Sequence, residues 1–360
     1  MKVFALKVSH GCFSPPAELK YQKREVVLFM KLRSILIASL LVMVAATVAF
    51  GAEFHLKAAS LNSDDYPPQK AFFEFIEYLE KESGGRLKAT RYADGQLGNI
   101  NEAMEAVQMG VIQMTFPVLT DLAAFDKRLL VVDLPFLFPD FQTAFKVLHG
   151  DLGKKVEPIL ENLGFKPCGY TSNGSRSVSN NRKPIHTPED LKGLKLRTMQ
   201  NQMHIAVFRA LGANPTPLSY SELYTALQQG VVDGQENAAL LMTDVKLHEV
   251  QKYYSLTRHI VSIICPVMNK AWYDSLPDDL KKILDEGLRI YEQKSTEYFD
   301  IAEVTALEEM RAAGVQITDL TDEERALFQK GARVVYKDFE KEIGKDLIDL
   351  AVKSVQEQSK

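Results

Sequence analysis

The clearest structural signals of this chain lie between Asn173 and Asn237. This stretch contains Asn173-Gly-Ser-Arg176, Thr187-Pro-Glu-Asp190, Gly193-Leu-Lys-Leu-Arg197, Asn214-Pro-Thr-Pro-Leu-Ser-Tyr220 and Leu227-Gln-Gln-Gly-Val-Val-Asp-Gly-Gln-Glu-Asn237. Short apolar strands, turn residues and helix-start signals alternate here, which is typical of an α/β domain. Arg176, Arg197 and Asn237 stand among these elements with no nucleophile or metal-ligand cluster beside them. This inventory favours the binding of a small anion over its chemical transformation.

Strands and helices also alternate ahead of this stretch. Strand–helix–strand alternation implies parallel sheets covered by helices, and its restart after Asn173 indicates two domains of similar build. Apolar residues that alternate with a period of two predict strands at 54–58, 86–92, 111–116, 194–198 and 231–233. Apolar residues with a period of 3.6, together with capping residues, predict helices at 67–82, from the Gly95–Gly98 turn to Met109, at 202–211 and at 219–230.

A much longer helical pattern runs from Pro277 to about Ala313 and is interrupted only by Gly287. At 1.5 Å per residue it would extend over roughly 55 Å, which is more than the width of one small domain. Periodicity leaves two interpretations open. The segment forms either two helices with a kink at Gly287 or one helix that lies across both domains.

The N-terminal region carries an export signal. Met30-Lys-Leu-Arg33 precedes an apolar run, Ile35–Phe50, with the small residues Ala49 and Gly51 around its end. This is the arrangement of a secretory signal peptide over 30–52. Cleavage is expected near Gly51 or Ala52, and residues 1–29 are interpreted as an upstream extension ahead of the true start at Met30. The run is shorter than the roughly 20 residues of a spanning helix. A periplasmic protein without stable membrane insertion is therefore predicted.

Composition and net charge restrict which kinds of molecule the protein is expected to bind. The chain has 360 residues, 46% of them hydrophobic and 25% charged, as in a soluble globular protein. Residues 1–52 contain seven Lys or Arg and two Glu, so their removal changes the formal net charge from −4 to −9. An acidic exterior argues against nucleic acids and anionic membrane surfaces as partners. An anionic ligand would have to be met by individually placed arginines.

Catalytic and cofactor motifs are missing from the sequence. It contains no Gly-x-Ser-x-Gly, no Walker loop and no Gly-x-Gly-x-x-Gly, and His248-Glu249 lacks the second histidine of a zinc helix. His204, His248 and His259 are predicted to be structural histidines. We therefore predict no catalytic residue, no metal, no cofactor and no enzymatic activity.

The two arginines and the polar run at 233–237 each admit a second interpretation. Arg197 ends a short strand, and ligands of open α/β sheets bind at the carboxyl ends of strands, where a guanidinium holds a carboxylate through two charge-assisted hydrogen bonds. A surface ion pair is the alternative for Arg197, and a solvated loop position is the alternative for Arg176. Residues 233–237 form either a hydrogen-bonding lip over a cleft or only a turn.

In their order these motifs resemble the DctP family, the periplasmic solute-binding proteins of tripartite ATP-independent periplasmic (TRAP) transporters. The segments that carry the resemblance are Asn173–Arg176, Thr187–Arg197, Leu211–Leu218, Glu222–Asn237 and His248–Lys252, with weaker support from Asp133–Phe136, Trp272 and Leu276-Pro277. The resemblance implies a two-lobed α/β periplasmic binding protein, with a ligand cleft between the lobes and a long lobe-spanning helix. It places lobe I at 53–173 and 263–302 and lobe II at 174–262 and 303–360.

The resemblance also implies roles for individual residues. Arg197 would pair with the substrate carboxylate, Arg176 and Asn237 would assist, and the Tyr220 ring would line the pocket. The chain would deliver its ligand to TRAP membrane permease subunits.

The chain departs from the sialic-acid-binding members of the family in lobe I. Val118 and Asp121 stand where those members have an acid and an arginine, which argues against sialic acid. An acid facing the cleft would receive an amine or a hydroxyl, so an amino acid or a hydroxy or oxo acid is expected, although Asp121 has a helix cap as its alternative role. Phe116 and Tyr66 are candidates for an apolar wall.

The resulting prediction is an exported receptor for a small organic carboxylate. Two other functions stay open on sequence grounds: an extracytoplasmic sensor for a signalling kinase and, less favoured, an exported hydrolase.

Overall fold

Two β-sheets organise residues 53–358, which together with Arg33 are the residues that this computed structural model describes. Helices pack around both sheets, so the predicted α/β class is confirmed. The predicted upstream extension, 1–29, and the signal peptide, 30–52, lie outside the described residues apart from Arg33. The lobe boundaries given above stay a prediction.

The first sheet has the strand order β2-β1-β3-β10-β4. Its first three strands are parallel, and β10 returns antiparallel between β3 and β4. The strand predicted at 111–116 is much shorter than expected, because only two of its residues find partners on β1 and β10. The strands are β1 (Phe54–Ala59), β2 (Leu87–Tyr92), β3 (Met114–Thr115), β4 (Phe165–Pro167) and β10 (Val267–Asn269).

The second sheet has the order β11-β9-β5-β8-β6-β7. Its two longest strands, β5 and β9, pair antiparallel along the centre. The strand predicted at 231–233 lies further along the chain, at 234–237, where the backbone pairs with β5 and β6. The strands are β5 (Thr171–Asn180), β6 (Lys195–Thr198), β7 (Asn214–Pro217), β8 (Gly234–Asn237), β9 (Tyr253–Ile264) and β11 (Gln316–Asp319).

Helices cover both sheets. Among the helices formed by residues 53–358, none is at once long and apolar enough to cross a membrane. The α-helices are α1 (Gln69–Glu82), α2 (Ile100–Gln108), α3 (Phe141–Leu148), α4 (Gly153–Asn162), α5 (Gln202–Ala210), α6 (Leu223–Gln228), α7 (Ala239–Asp244), α8 (Lys270–Ser275), α9 (Asp278–Ala312), α10 (Asp322–Ala332), α11 (Val335–Asp338), α12 (Glu340–Ile343) and α13 (Lys345–Gln358), with 3-10 helices at Leu119–Ala124, Lys127–Asp133, Pro188–Leu191 and Leu247–Glu249.

The long helical pattern forms one helix, α9, of 35 residues, which settles the choice between the two interpretations in favour of a single helix. The helix packs against α1 beside the first sheet and against α7 and β5 of the second sheet. A Cβ atom on Gly287 would lie 3.0 Å from the rings of Phe75 and Tyr78. The mid-helix glycine therefore allows α1 to pack closely against α9.

The chain passes from one sheet to the other at residues 168–170 and back at 265–266. The two passages are joined by a hydrogen bond from the backbone N–H of Cys168 to the carbonyl oxygen of Pro266, at 2.9 Å. On α9, the Glu292 carboxylate accepts a hydrogen bond of 2.6 Å from the backbone N–H of Tyr170. The first passage is thus held both by its neighbour and by the long helix.

A substitution at Gly174 tests the packing of β5 on α9. Gly174 has φ +74°, and a Cβ atom there would lie 2.6 Å from the Cβ of Ala238 and 2.9 Å from the Phe299 ring. Gly174→Ala is expected to lower the free energy of unfolding by about 2–4 kcal/mol, because it adds overpacking to backbone strain. Gly193→Ala is the matched control, since Gly193 has φ +79° but no atom within 4 Å of the added Cβ. Its cost should be about 1 kcal/mol. Equal melting temperatures for the two variants would contradict the packing argument.

Candidate functional site

A cavity of about 490 Å³ is lined by residues that follow the strands of both sheets. Six of the seven predicted site residues meet there, and their roles in binding stay a prediction. Tyr66 is the exception: it is buried in the apolar core with α6 and α7 and is not among the lining residues. The six are Phe116, Asp121, Arg176, Arg197, Tyr220 and Asn237.

Arg197 is buried at the end of β6, with 2% of its surface exposed. Its Nε and Nη2 atoms donate to the carbonyl oxygen of Leu218, at 2.9 and 2.7 Å. No carboxylate among residues 53–358 pairs with it, and Nη1 donates to none of those residues. Burial first, and then the neighbouring charge of Arg176, lower the pKa of Arg197 to about 10. The guanidinium stays charged at neutral pH, and no carboxylate of residues 53–358 forms an ion pair with it.

Arg176 is equally buried but fully paired. Its Nε and Nη2 atoms donate to the two carboxylate oxygens of Glu236, at 2.5 and 2.8 Å, and Nη1 donates to Oδ1 of Asn237 at 2.9 Å. The pKa of Arg176 is raised, because Glu236 outweighs the opposing effect of burial. The solvated loop position considered for Arg176 is wrong, since residue 176 lies within β5 between two paired strands.

The carboxylate of Glu236 also contacts two buried histidines. His204 Nδ1 lies 3.2 Å from one of its oxygens, and His259 Nε2 lies 3.1 Å from the other. His204 Nε2 in turn lies 2.7 Å from Oδ2 of Asp133. Sequence reasoning did not assign Glu236 or Asp133 to the site. Glu236 stands next to Asn237 in the quoted motif, which is a usable signal, whereas nothing local connects Asp133 to residues seventy positions away.

Tyr220 and Asn237 complete the wall around the two arginines. The Tyr220 hydroxyl is buried and has no hydrogen-bond partner among the described residues, and burial raises the pKa of that hydroxyl. The backbone of Asn237 is held in place by the Tyr254 hydroxyl, which donates to its carbonyl oxygen at 2.9 Å. A ligand oxygen in the cavity would give the Tyr220 hydroxyl the partner it lacks.

Asp121 and Phe116 line the opposite wall. Asp121 Oδ2 accepts the backbone N–H of Val118 at 3.0 Å, so its capping role is confirmed even though it faces the cavity. Burial first, and then the charge of Asp133, raise the pKa of Asp121 to about 7. The Phe116 ring packs edge-on against Phe72, with 5.0 Å between ring centroids, and contributes apolar surface to the same wall.

Carboxamides are the commonest polar groups of the cavity, and sequence reasoning missed all of them except Asn237. Each carboxamide both donates and accepts hydrogen bonds, which suits the hydroxyl groups of a ligand. The polar run at 200–202 is separated from the strand of Arg197 by one residue, and that position at a strand's carboxyl end was an available signal. The lining carboxamides are those of Asn62, Asn99, Asn101, Asn173, Gln200, Asn201, Gln202 and Asn237.

The raised pKa of Asp121 predicts a pH-dependent effect of its amide variant. Because the pKa rises from 3.8 to about 7 on folding, the stability contributed by the protonated carboxyl is present below about pH 3.8 and is lost as the pH rises through about 7. Asp121→Asn keeps the acceptor for Val118 and removes the ionised carboxylate. We expect a melting temperature at least about 2 °C above wild type at pH 8 and a smaller difference at pH 5. An equal difference at both pH values would contradict a raised pKa.

No group of three or more His, Cys, Asp or Glu side chains suited to a metal ion is found among residues 53–358.

Comparison with known proteins adds independent findings. A family profile described as bacterial extracellular solute-binding protein, family 7 (DctP), matches residues 58–342. The 2,3-diketo-L-gulonate-binding periplasmic protein YiaO of Escherichia coli is 33% identical over 304 residues, covering 83% of this chain and 91% of that protein.

Two solved structures share the fold closely. The sugar acid binding protein DctPAm of Advenella mimigardefordensis, in complex with galactonate, has a TM-score of 0.82 and 30% identity, covering 85% of this chain and 98% of that one. A TRAP periplasmic solute-binding protein of Roseobacter denitrificans with bound β-D-glucuronate has a TM-score of 0.80 and 30% identity, covering 84% and 99% of the two chains. Both are two-lobed receptors, as the sequence predicts for this chain.

Proposed function

This chain belongs to the bacterial extracellular solute-binding proteins of family 7, and we propose that it is an extracytoplasmic receptor that binds a small organic carboxylate and delivers it to a TRAP-type membrane permease. The family consists of binding proteins, and we propose accordingly that this chain is a receptor and not an enzyme. No feature of residues 53–358 favours the sensor or the hydrolase over the receptor.

One observation carries the proposal. Arg197 is a buried guanidinium with no carboxylate partner in residues 53–358, and it lines the cavity. An unpaired buried charge is costly in a folded protein. A ligand carboxylate that enters the cavity supplies the missing counter-ion and receives charge-assisted hydrogen bonds. Of the three cations that line the cavity, Arg176 is paired with Glu236 and Lys127 with Glu342. Within residues 53–358 this leaves Arg197 as the lining cation without a carboxylate partner, so we propose that the site accommodates one carboxylate.

We propose a hydroxy or oxo acid, and specifically a sugar acid, as the ligand. Eight carboxamides line the cavity. Five of them, those of Asn62, Asn99, Asn173, Asn201 and Asn237, already make a hydrogen bond within the protein and keep part of their donor and acceptor capacity. Together with the carboxamides of Asn101, Gln200 and Gln202 they suit several hydroxyl groups. The carboxyl of Asp121, with its pKa raised to about 7, is a weaker partner for an ammonium group than an ordinary aspartate and a better donor to an oxygen, so an amino acid is disfavoured. The relatives include proteins named for or solved with diketogulonate, galactonate and glucuronate, and others named for C4-dicarboxylates. The single unpaired lining guanidinium of residues 53–358 favours the first group, whose ligands carry one carboxylate.

We place the receptor in the periplasm, with the signal peptide cleaved near Gly51 or Ala52. Membership of an extracellular solute-binding family and the export signal at the N-terminus support this location. The predicted acidic exterior of the processed chain does not favour anionic lipid surfaces.

Thermal unfolding of residues 53–360 in the presence of a carboxylate panel tests the proposed function. The panel contains D-galactonate, D-glucuronate, 2,3-diketo-L-gulonate, succinate and glutamate, each against an uncharged sugar alcohol of matched size. A ligand present at about 100 times its dissociation constant adds roughly 2.7 kcal/mol to the folded state. We expect a shift of several degrees with a sugar acid. A response to sugar alcohols as strong as to their acids would remove the role of Arg197 and overturn the proposal.

A further inference from the structure

Four buried side chains of alternating charge are linked by short contacts next to the cavity, and we call them the buried charge series. It consists of Asp133, His204, Glu236 and Arg176, each no more than 2% exposed. The distances along it are 2.7 Å from Asp133 Oδ2 to His204 Nε2, 3.2 Å from His204 Nδ1 to Glu236 Oε1, and 2.5 Å from Glu236 Oε2 to Arg176 Nε. Asp133, His204 and Glu236 are not among the residues that line the cavity, so any effect of theirs on binding would act through neighbouring residues.

The buried charge series connects opposite walls of the cavity. Asp133 ends a 3-10 helix that follows the one carrying Thr120 and Asp121, which line one wall. His204 lies on α5, which follows β6 and Arg197 on the other wall. One turn earlier, the Asn201 side chain donates to the Thr120 hydroxyl at 2.7 Å. Helix α5 is thus tied to the opposite wall at two points, and one of them continues through Glu236 to Arg176.

We infer that Asp133 and His204 are positioning residues for ligand binding, which hold the wall at 119–133 against the arginine-bearing wall and fix the carboxylate that orients Arg176. The inference rests on the proposed function and adds to it two residues that never touch the ligand. Because both residues are buried and joined by a short contact, the two walls have one preferred arrangement. A ligand that contacts both walls binds to that arrangement.

The charge state of His204 supports the same role. Burial opposes protonation, but Glu236 and Asp133 outweigh it and raise the pKa of His204 to about 9. The other charged or titratable groups that interact with the buried charge series are Asp121, Arg197, Tyr220, Tyr254 and His259. Since the folded pKa lies above the ordinary 6.5, the stabilisation is complete below about pH 6.5 and is lost as the pH rises through about 9.

Three variants test the inference: His204→Gln, Asp133→Leu, which leaves no acceptor for His204 Nε2, and the double variant. His186→Gln is the matched control, because His186 Nδ1 contacts Glu324 at 2.9 Å in an exposed pair away from the cavity. With D-galactonate as the probe, each single variant should raise the dissociation constant about tenfold, and the control should leave it unchanged. The double variant should bind no more weakly than the weaker single variant, since both remove the same contact.

The pH profile separates a positioning role from a general structural one. Galactonate affinity of the wild type should fall as the pH rises through about 9, the pKa of His204, and the fall should be smaller in His204→Gln. Dissociation constants within about twofold of wild type in both single variants, or identical pH profiles, would overturn the inference while leaving the receptor function intact.

Two further measurements keep the inference testable when galactonate binding or folding fails. If wild type binds no acid of the panel, the proposed function fails, and hydrogen exchange of the ligand-free protein decides the inference: amides 119–124 must exchange faster in His204→Gln than in wild type. If the variants do not fold, the pKa of His204 in wild type is measured by NMR with and without galactonate. Linkage requires a higher pKa in the bound form, and an unchanged pKa would overturn the inference.

Discussion

Arg197→Ala is expected to weaken binding of the carboxylate that stabilises this receptor by about 2–5 kcal/mol, or roughly 30-fold to several thousandfold in dissociation constant. The guanidinium is desolvated, and in residues 53–358 it has no competing carboxylate, so the ligand's carboxylate has no substitute partner. Isothermal titration calorimetry with the best acid of the panel measures the loss. The ligand-free variant should melt no lower than wild type, because the substitution removes an unpaired buried charge.

Two control variants show whether the loss of affinity in Arg197→Ala comes from the contact between Arg197 and the ligand carboxylate. Arg209→Ala removes an arginine from the exposed face of α5, outside the cavity, and should leave affinity unchanged. Arg197→Lys keeps the charge but loses the paired donors of the guanidinium, so it should fall between wild type and Arg197→Ala. An Arg197→Ala affinity within about threefold of wild type would mean that the carboxylate binds elsewhere.

Glu236→Gln is expected to lower the free energy of unfolding by about 3–5 kcal/mol, because it leaves the charges of Arg176 and His204 buried without their shared carboxylate. A drop of roughly 6 °C or more in melting temperature follows for a chain of this size. Burial opposes ionisation of Glu236, but Arg176 and His204 hold its pKa well below the ordinary 4.5. Its stabilisation is therefore present above about pH 4.5 and is lost as the pH falls through that low pKa.

The matched control is Glu286→Gln, which removes a carboxylate that also pairs with an arginine, Arg289, through two hydrogen bonds of 3.0 and 2.7 Å, but on an exposed helix face. Exposed pairs contribute little because water solvates both charges, so this variant should melt close to wild type. The difference between wild type and Glu236→Gln should also shrink below pH 4.5. If the two variants melted alike at pH 7, the buried network would be unimportant for stability.

Local sequence patterns were sufficient for most helices and for the receptor class. Capping residues and period-3.6 apolar patterns reflect interactions within a few residues, and α1, α5 and the long α9 follow them closely. Strand limits were less predictable. The strand expected at 231–233 forms at 234–237 instead, because a strand exists only where β5 and β6 offer backbone partners.

The site residues, like the helices and strands, depend partly on local sequence and partly on contacts between distant segments. Arg197, Arg176, Tyr220 and Asn237 belong to one continuous motif region, so the sequence was enough to identify them as candidates and to indicate an anion. Whether each arginine is free or paired depended on the fold. Glu236 lies beside Arg176 only because β8 pairs with β5, and Asp133 reaches His204 only because two distant segments pack together. Burial then removes water from both arginines, and of the two only Arg176 forms an ion pair with a carboxylate of residues 53–358. Such contacts between residues far apart in the chain leave no periodic trace in the sequence, so they emerge only when the chain is folded.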